Sequence, residues 1–146
     1  MSGQARGPNR LDLFVLKGWR GLELEMPHVG GSDGAGIIEK LGAGVTEWKV
    51  GDRVVVWASL FCSHCAMCLR GDVALCREHR LIGEHKRGLF AEYAILPAKN
   101  LKRIPEEFAF EDAAAASPVH LTARPIAMTP PQLNPRQPTV AGPPRA

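Results

Sequence analysis

All four cysteines of this 146-residue chain fall in one stretch of fifteen residues, separated by two, two and seven positions. Two-residue gaps let neighbouring thiolates turn back onto one ion, and the longer gap, with Gly71-Asp72 as a turn, lets the chain return with a fourth ligand. Four thiolates around one cation form the closed tetrahedral site of structural zinc, which leaves no coordination position for water or substrate. The spacing therefore predicts one structural zinc ion, held by Cys62, Cys65, Cys68 and Cys76.

Two other uses of these thiols stay open at the level of the sequence. Thiolates also bind iron, although the last gap is longer than the three residues of the bacterial ferredoxin run. The thiols could also be unligated, whereas disulfides are disfavoured because no secretory segment precedes them. His64 is interpreted as a solvated loop residue, and Arg70 and Arg77 are expected to offset the two negative charges of a zinc tetrathiolate.

The composition describes a globular chain without a strongly charged body. Hydrophobic residues make up 45% of the sequence, and the length suits one folded domain. The formal charge is +3, but residues 124–146 hold three arginines and no acid, so the remainder balances at 15 basic and 15 acidic residues. We therefore expect no nucleic-acid partner. No apolar run approaches the ~18 residues of a membrane span, so we also expect no membrane partner and a cytoplasmic location.

Apolar and turn residues predict a chain made mainly of strands. The glycine-rich stretch 30–41 favours a strand with bulges or close backbone approach, and residues 11–16 suit a strand end or one helical turn. Further extended segments are predicted at 53–57, 89–96 and 101–104, and a short helix at 106–116. Residues 1–8 are expected to be disordered, as are residues 124–146, which contain seven of the twelve prolines.

Several motifs in this order resemble one known family. They are Asn9-Arg-Leu-Asp12, Pro27-His-Val-Gly-Gly-Ser-Asp-Gly-Ala-Gly36, Val50-Gly-Asp-Arg-Val54, the four-cysteine run, Gly88-Leu-Phe-Ala-Glu-Tyr93 and Leu121-Thr-Ala123. Across residues 9–123 the chain is similar to the N-terminal catalytic domain of the medium-chain, zinc-type alcohol dehydrogenase and quinone reductase superfamily. The resemblance implies a mainly β fold: a GroES-like, partly open barrel with a zinc lobe at 60–86 and a short C-terminal helix.

The same resemblance implies that the catalytic zinc of the family is missing. Asn9 stands where the family has its first cysteine ligand, and Leu11 where a serine or threonine relays the alcohol proton. Ser32 replaces the histidine ligand, and the third ligand position falls near Pro118. Without thiolate or imidazole at these places, a Lewis-acid zinc has no ligands. No catalytic residue is therefore assigned in this chain.

Cofactor binding is not expected from this sequence either. Gly42-Ala-Gly44 is followed by Glu47 where a dinucleotide fingerprint needs its third glycine. The resemblance places NAD(P) binding in a Rossmann domain of full-length relatives, which are homo-oligomers. We expect a zinc-binding fragment of an NAD(P)-dependent alcohol dehydrogenase-like oxidoreductase, inactive alone and cut short by truncation or a frameshift after Ala123. A non-enzymatic zinc-binding interaction module is the alternative.

Overall fold

A computed structural model describes residues 1–18 and 20–117. Six strands and two α-helices, α1 (Arg10–Lys17) and α2 (Ala66–Leu69), make up most of the regular structure in these residues. The strands are β1 (Ser2–Gly7), β2 (Asp33–Ile37), β3 (Arg53–Val56), β4 (Ser59–Leu60), β5 (Arg80–Leu81) and β6 (Leu101–Arg103). Short 3-10 turns cover Val73–Leu75 and Ala98–Asn100, and residues 110–117 are helical.

An antiparallel sheet in the order β1-β2-β3-β6 organises the core, and β4 pairs with β5 in a second, two-stranded sheet. Val54 and Val56 point to one face, where they pack in a cluster with Leu89 and other apolar side chains. Val55 points to the opposite face, which packs against the helix at 110–117. Strands predominate and the sheets stay open, so the predicted mainly β, partly open architecture is confirmed.

The N-terminus differs from the expected disordered segment at 1–8, because Ser2–Gly7 forms the edge strand β1. β1 pairs antiparallel with β2, and its outer edge bonds to the 92–94 segment. Glycine makes this pairing feasible, since a Cβ at Gly36 would overlap the carbonyl oxygen of Ser2. The prediction of close backbone approach in the glycine-rich stretch is therefore confirmed, but its strand partner was not foreseen.

The predicted strand at 89–96 is wrong, since this segment is a series of bends with one isolated bridge at Tyr93. The first part of this segment is bonded to a loop: the N–H groups of Gly88, Leu89 and Phe90 donate to the carbonyls of residues 29–31 over 2.6 to 3.0 Å. Only its 92–94 part makes backbone bonds to β1, at the isolated bridge. Leu89 is buried in the core cluster. The apolar pattern therefore reports one anchoring side chain, not a ladder.

One helix follows β1 along the chain, and another follows β6. Residues 11–16, left between strand and helix by their pattern, lie in α1, which begins with a capping box between Asn9 and Asp12 and ends at Gly18. The predicted helix at 106–116 begins later, because the N–H of Phe108 bonds back to the carbonyl of Pro105 in a turn. The tail at 124–146 lies outside the described residues. No helix in the described part of the chain combines the length and apolarity that a bilayer crossing needs.

Candidate metal centre

The four cysteines lie in a lobe, residues 60–86, that leaves the sheet and returns to it. β4 and β5 pair at its base, so the chain that leaves at Leu60 returns beside it at Arg80. Cys62 follows β4, Cys65 caps the N-terminus of α2, and Cys68 lies within that helix. The fourth ligand, Cys76, follows the 3-10 turn Val73–Leu75. Local pairing and two short turns therefore bring all four sulfurs to one side of the lobe.

Backbone N–H groups orient the sulfurs at the tip. The N–H of Cys65 donates to Sγ of Cys62 over 3.3 Å, and the N–H of Cys68 donates to Sγ of Cys65 over 3.5 Å. Ser63, at φ 71°, is the only non-glycine residue with positive φ in residues 1–18 and 20–117. A strained position of this kind persists only where its surroundings hold it, as the tight turn between the first two ligands does here.

The sulfur spacing matches a tetrahedral zinc site. Sγ of Cys62 lies 3.8 Å from Sγ of Cys68 and 3.7 Å from Sγ of Cys76. All four sulfurs lie within 4.8 Å of one another. Four sulfurs at about 2.3 Å from a central zinc are separated by about 3.8 Å in a regular tetrahedron. The residues present therefore fit a four-coordinate zinc ion, and the geometry brings together every cysteine that the sequence selected.

The thiols at this centre differ in how readily they ionise. Hydrogen bonding from the backbone at His64 lowers the pKa of Cys62 to about 6, helped by the N–H of Cys65. Burial raises the pKa of Cys68 to about 12, and the neighbouring thiols add to that effect. A thiolate at Cys62 is therefore available at neutral pH, and a bound cation is what would make the remaining three thiolates favourable.

A lysine from outside the lobe places a positive charge beside the turn that contains the first cysteines. Nζ of Lys99 donates to the carbonyl of Phe61 over 2.6 Å and to Oγ of Ser63 over 2.8 Å. Arg70, which was expected to offset the charge of the site, contacts Met67 and Asp72 instead. The sequence did not indicate Lys99, because it lies 38 and 36 residues along the chain from Phe61 and Ser63 and contacts them only in the folded structure.

A second group of side chains with potential metal-ligand atoms lies in the lobe and shares Cys62 with the first. One ligand atom each from Cys62, His64 and Glu78 lies within 4.8 Å of the others. His64 and Glu78 are exposed, unlike the half-buried Cys62. Sequence reasoning interpreted His64 as a solvated loop residue and gave Glu78 no role. The signal that could have found them is weak, since it consists only of two potential ligands spaced around the cysteine run.

The positions that resemble catalytic zinc ligands are occupied in a different way. Nδ2 of Asn9 donates to Oδ2 of Asp33 over 2.8 Å, while Oδ1 of Asn9 accepts from the N–H of Leu11. Ser32 is buried and donates its hydroxyl to the carbonyl of Ile82 over 2.7 Å. Both polar side chains are thus committed to the fold, and they do not fit a second zinc. Pro118, the third position, lies outside the described residues.

The two carboxylates near these positions have structural contacts. Asp12 accepts from the N–H of Asn9 over 2.6 Å and from the N–H of Gly31 over 3.0 Å, so it ties α1 to the glycine-rich loop. Asp33 is buried and has one oxygen, Oδ1, without a partner in residues 1–18 and 20–117. Burial raises the pKa of Asp33, and the negative charge of Asp12 raises it further.

Comparisons with known proteins agree with this geometry. The model of the alcohol dehydrogenase GroES-like domain matches residues 3–106. The chain is 40% identical over 104 residues to an alcohol dehydrogenase of Schizosaccharomyces pombe, covering 70% of this chain and 30% of that protein. It is 38% identical over 112 residues to an alcohol dehydrogenase of Geobacillus stearothermophilus, covering 76% and 33%. The chain thus spans about a third of the length of these curated relatives.

A solved structure shares both the fold and the sequence signal. The cobalt- and zinc-bound thermostable alcohol dehydrogenase from Pyrobaculum aerophilum superposes with a TM-score of 0.77 at 39% identity, covering 84% of this chain and 37% of that one. The chain therefore belongs to the alcohol dehydrogenase GroES-like domain family and is homologous to the N-terminal catalytic domain of the zinc-type alcohol dehydrogenases.

Proposed function

We propose that this chain is the zinc-stabilised, GroES-like part of an NAD(P)-dependent alcohol dehydrogenase-like oxidoreductase. The observation that carries the proposal is the set of four sulfurs, two pairs of which lie at 3.7 and 3.8 Å, close to the edge length of a zinc tetrathiolate. The relatives named as alcohol dehydrogenases support the reaction class. Substrate and choice of dinucleotide would be set by parts of the enzyme that contact them.

The role proposed for the ion is structural. With Cys62, Cys65, Cys68 and Cys76 as ligands, all four coordination positions are filled by sulfur, so a bound zinc supplies cross-linking and no Lewis-acid chemistry. It would tie the turn after β4 to the segment that leads back into β5. This chain's own residues prepare the site: two backbone N–H groups orient sulfurs, and Lys99 holds the carbonyl of Phe61 at the lobe entrance.

A catalytic zinc is not part of the proposal, and no reaction step is assigned to one. Asn9 caps α1 and Ser32 donates into the backbone, so neither side chain is free to become a ligand. The 146 residues also contain no Gly-x-Gly-x-x-Gly motif with which a helix N-terminus would receive a pyrophosphate. We therefore expect this chain alone to neither bind a nicotinamide dinucleotide nor oxidise alcohols.

Metal analysis and cofactor titration test the two halves of the proposal separately. After exhaustive dialysis, elemental analysis of the purified chain should give one zinc per chain and no iron. Retention of two ions, of iron, or of no metal would contradict the structural-zinc assignment. Calorimetric titration with NADH and NADPH at millimolar concentration should then show no saturable binding, and saturation by either dinucleotide would overturn the expected inactivity.

A further inference from the structure

Two exposed side chains that the four-thiolate site does not use, His64 and Glu78, lie beside one of its sulfurs. Cys62 contributes its sulfur to the tetrathiolate, and the same sulfur lies within 4.8 Å of ligand atoms from His64 and Glu78. The side chains of His64 and Glu78 are 77% and 69% exposed, so a cation from solvent reaches them without any opening of the lobe. One thiolate, one imidazole and one carboxylate suit zinc and its chemical relatives.

The imidazole of His64 is held in the orientation that a metal ligand requires. Its Nδ1 lies 3.0 Å from the carbonyl oxygen of Cys62, and because a carbonyl only accepts, Nδ1 carries the proton of that hydrogen bond. The lone pair is then on Nε2, which faces Oε1 of Glu78 at 3.9 Å. Histidines that bind metals are commonly oriented in this way: one ring nitrogen donates its N–H to a backbone carbonyl, and the other nitrogen binds the metal. The positive φ of Ser63 sets this turn.

From this arrangement we propose a second, weaker cation site on the lobe, formed by Nε2 of His64, a carboxylate oxygen of Glu78 and a bridging thiolate of Cys62. It takes a borderline or soft divalent cation such as Zn²⁺ or Cd²⁺. The inference rests on the proposed structural zinc, because the zinc tetrathiolate carries two negative charges that attract a further cation. Three protein ligands leave a position for water, and the exposure of the site makes the second ion exchange readily, unlike the first.

The test uses the full chain loaded with one zinc, verified by elemental analysis before any titration. Calorimetric titration of this protein with Zn²⁺ should show one further equivalent with a dissociation constant in the micromolar range. His64→Ala and Glu78→Gln should each weaken that second binding at least tenfold while keeping the first zinc, which shows that the lobe is intact. ¹¹³Cd NMR of the cadmium-loaded chain should show two resonances, one of which is lost in His64→Ala.

Two control variants separate ligand loss from general effects. His79→Ala removes another histidine of the lobe, and Asp72→Asn removes another carboxylate charge; both should leave the second binding unchanged. Absence of a second equivalent up to millimolar zinc would overturn the inference, as would binding that survives in His64→Ala or falls equally in the controls. Failure to retain the first zinc would show itself at the loading step and would overturn the structural-zinc proposal together with this one.

Discussion

The lobe at 60–86 and the four-stranded sheet are stabilised in opposite ways. In the sheet, Val54, Val56 and Leu89 are almost fully buried in one apolar cluster. Between residues 61 and 81 of the lobe, only Cys76 is buried, and neither α2 nor the 3-10 turn Val73–Leu75 has a buried residue. The sheet can therefore be held by the burial of apolar surface, whereas residues 61–81 of the lobe have almost none to bury.

This difference assigns the metal a local task. A zinc tetrathiolate contributes on the order of 10 kcal/mol of binding free energy at neutral pH, which is enough to order a segment that lacks a core. The entrance to the lobe is held from outside the lobe: Nδ2 of the buried Asn100 donates to the carbonyls of Trp57 and Ser59 over 2.6 and 2.7 Å. These bonds hold the entrance to the lobe whether or not the ion is bound, so the two regions should respond separately to damage.

The largest effect is expected from Cys65→Ser, which removes one thiolate ligand while its hydroxyl can still cap the N-terminus of α2. Zinc affinity should fall by several orders of magnitude, because an incomplete thiolate set loses much of the binding free energy. Hydrogen exchange should show loss of protection from Leu60 to Lys86, while the amides of β2 and β3 stay protected. Leu69→Ala, which truncates a side chain that is 75% exposed on the same lobe, should change neither quantity. Loss of protection throughout the chain would mean that the ion supports the whole fold.

The converse change is Leu89→Ala in the core of the sheet. Leu89 is 2% exposed, and truncation of such a side chain typically costs about 2–5 kcal/mol because it leaves a cavity. Chemical denaturation of the zinc-loaded protein should show this loss in the free energy of unfolding. The zinc affinity of the folded protein should not change, since Leu89 does not contact the four ligands. A large drop in zinc affinity would show that the two regions are one cooperative unit.

The two regions also differ in how far the sequence predicted them. The four ligands lie within fifteen residues and their spacing follows the chemistry of one ion, so local reasoning brought them together. The sheet was predicted in class, and β3 and β6 were close to their expected segments at 53–57 and 101–104. Both segments are bounded by turn signals, Gly51-Asp52 before the first and Pro105 after the second, which local pattern can detect.

The elements that local reasoning missed depend on contacts between distant residues. β1 contains small and polar residues typical of a frayed end, and only the glycines of β2 make its pairing feasible. Residues 89–96 have the composition of a strand, yet the N–H groups of Leu89 and Phe90 donate to carbonyls of the loop at 29–31. Lys99 approaches the metal lobe only through folding, so nothing in its sequence neighbourhood indicated this contact.

Two aspartates of the sheet region affect the free energy of unfolding in opposite directions when they are ionised. Burial raises the pKa of Asp33, whose Oδ1 lacks a partner within the described residues. For Asp52, a backbone hydrogen bond from Lys49 and the nearby Arg103 lower the pKa. A raised pKa means that the folded state binds the proton more tightly than the unfolded state. The ionised Asp33 therefore destabilises the fold above its folded pKa, whereas the ionised Asp52 stabilises it.

The smallest expected effect is a gain, produced by Asp33→Asn. The neutral amide removes the buried charge and its repulsion with Asp12, while its oxygen can still accept from Nδ2 of Asn9. We expect the free energy of unfolding to rise by about 1 kcal/mol at pH 7. The gain should shrink as the pH falls through the raised folded pKa of Asp33 and disappear below the ordinary value of 3.8, where the wild-type carboxyl is protonated in both states.

Asp52→Asn is the matched control, with the opposite sign: it should destabilise the chain at pH 7 and converge on the wild type in acid. Denaturation of the metal-free wild type and variants from pH 3 to pH 7 measures both trends; the metal is removed beforehand because protonated cysteines would release zinc in acid. If Asp33→Asn loses stability at pH 7, the ionised carboxylate is a favourable part of the contact between α1 and β2, and its charge does not destabilise the fold.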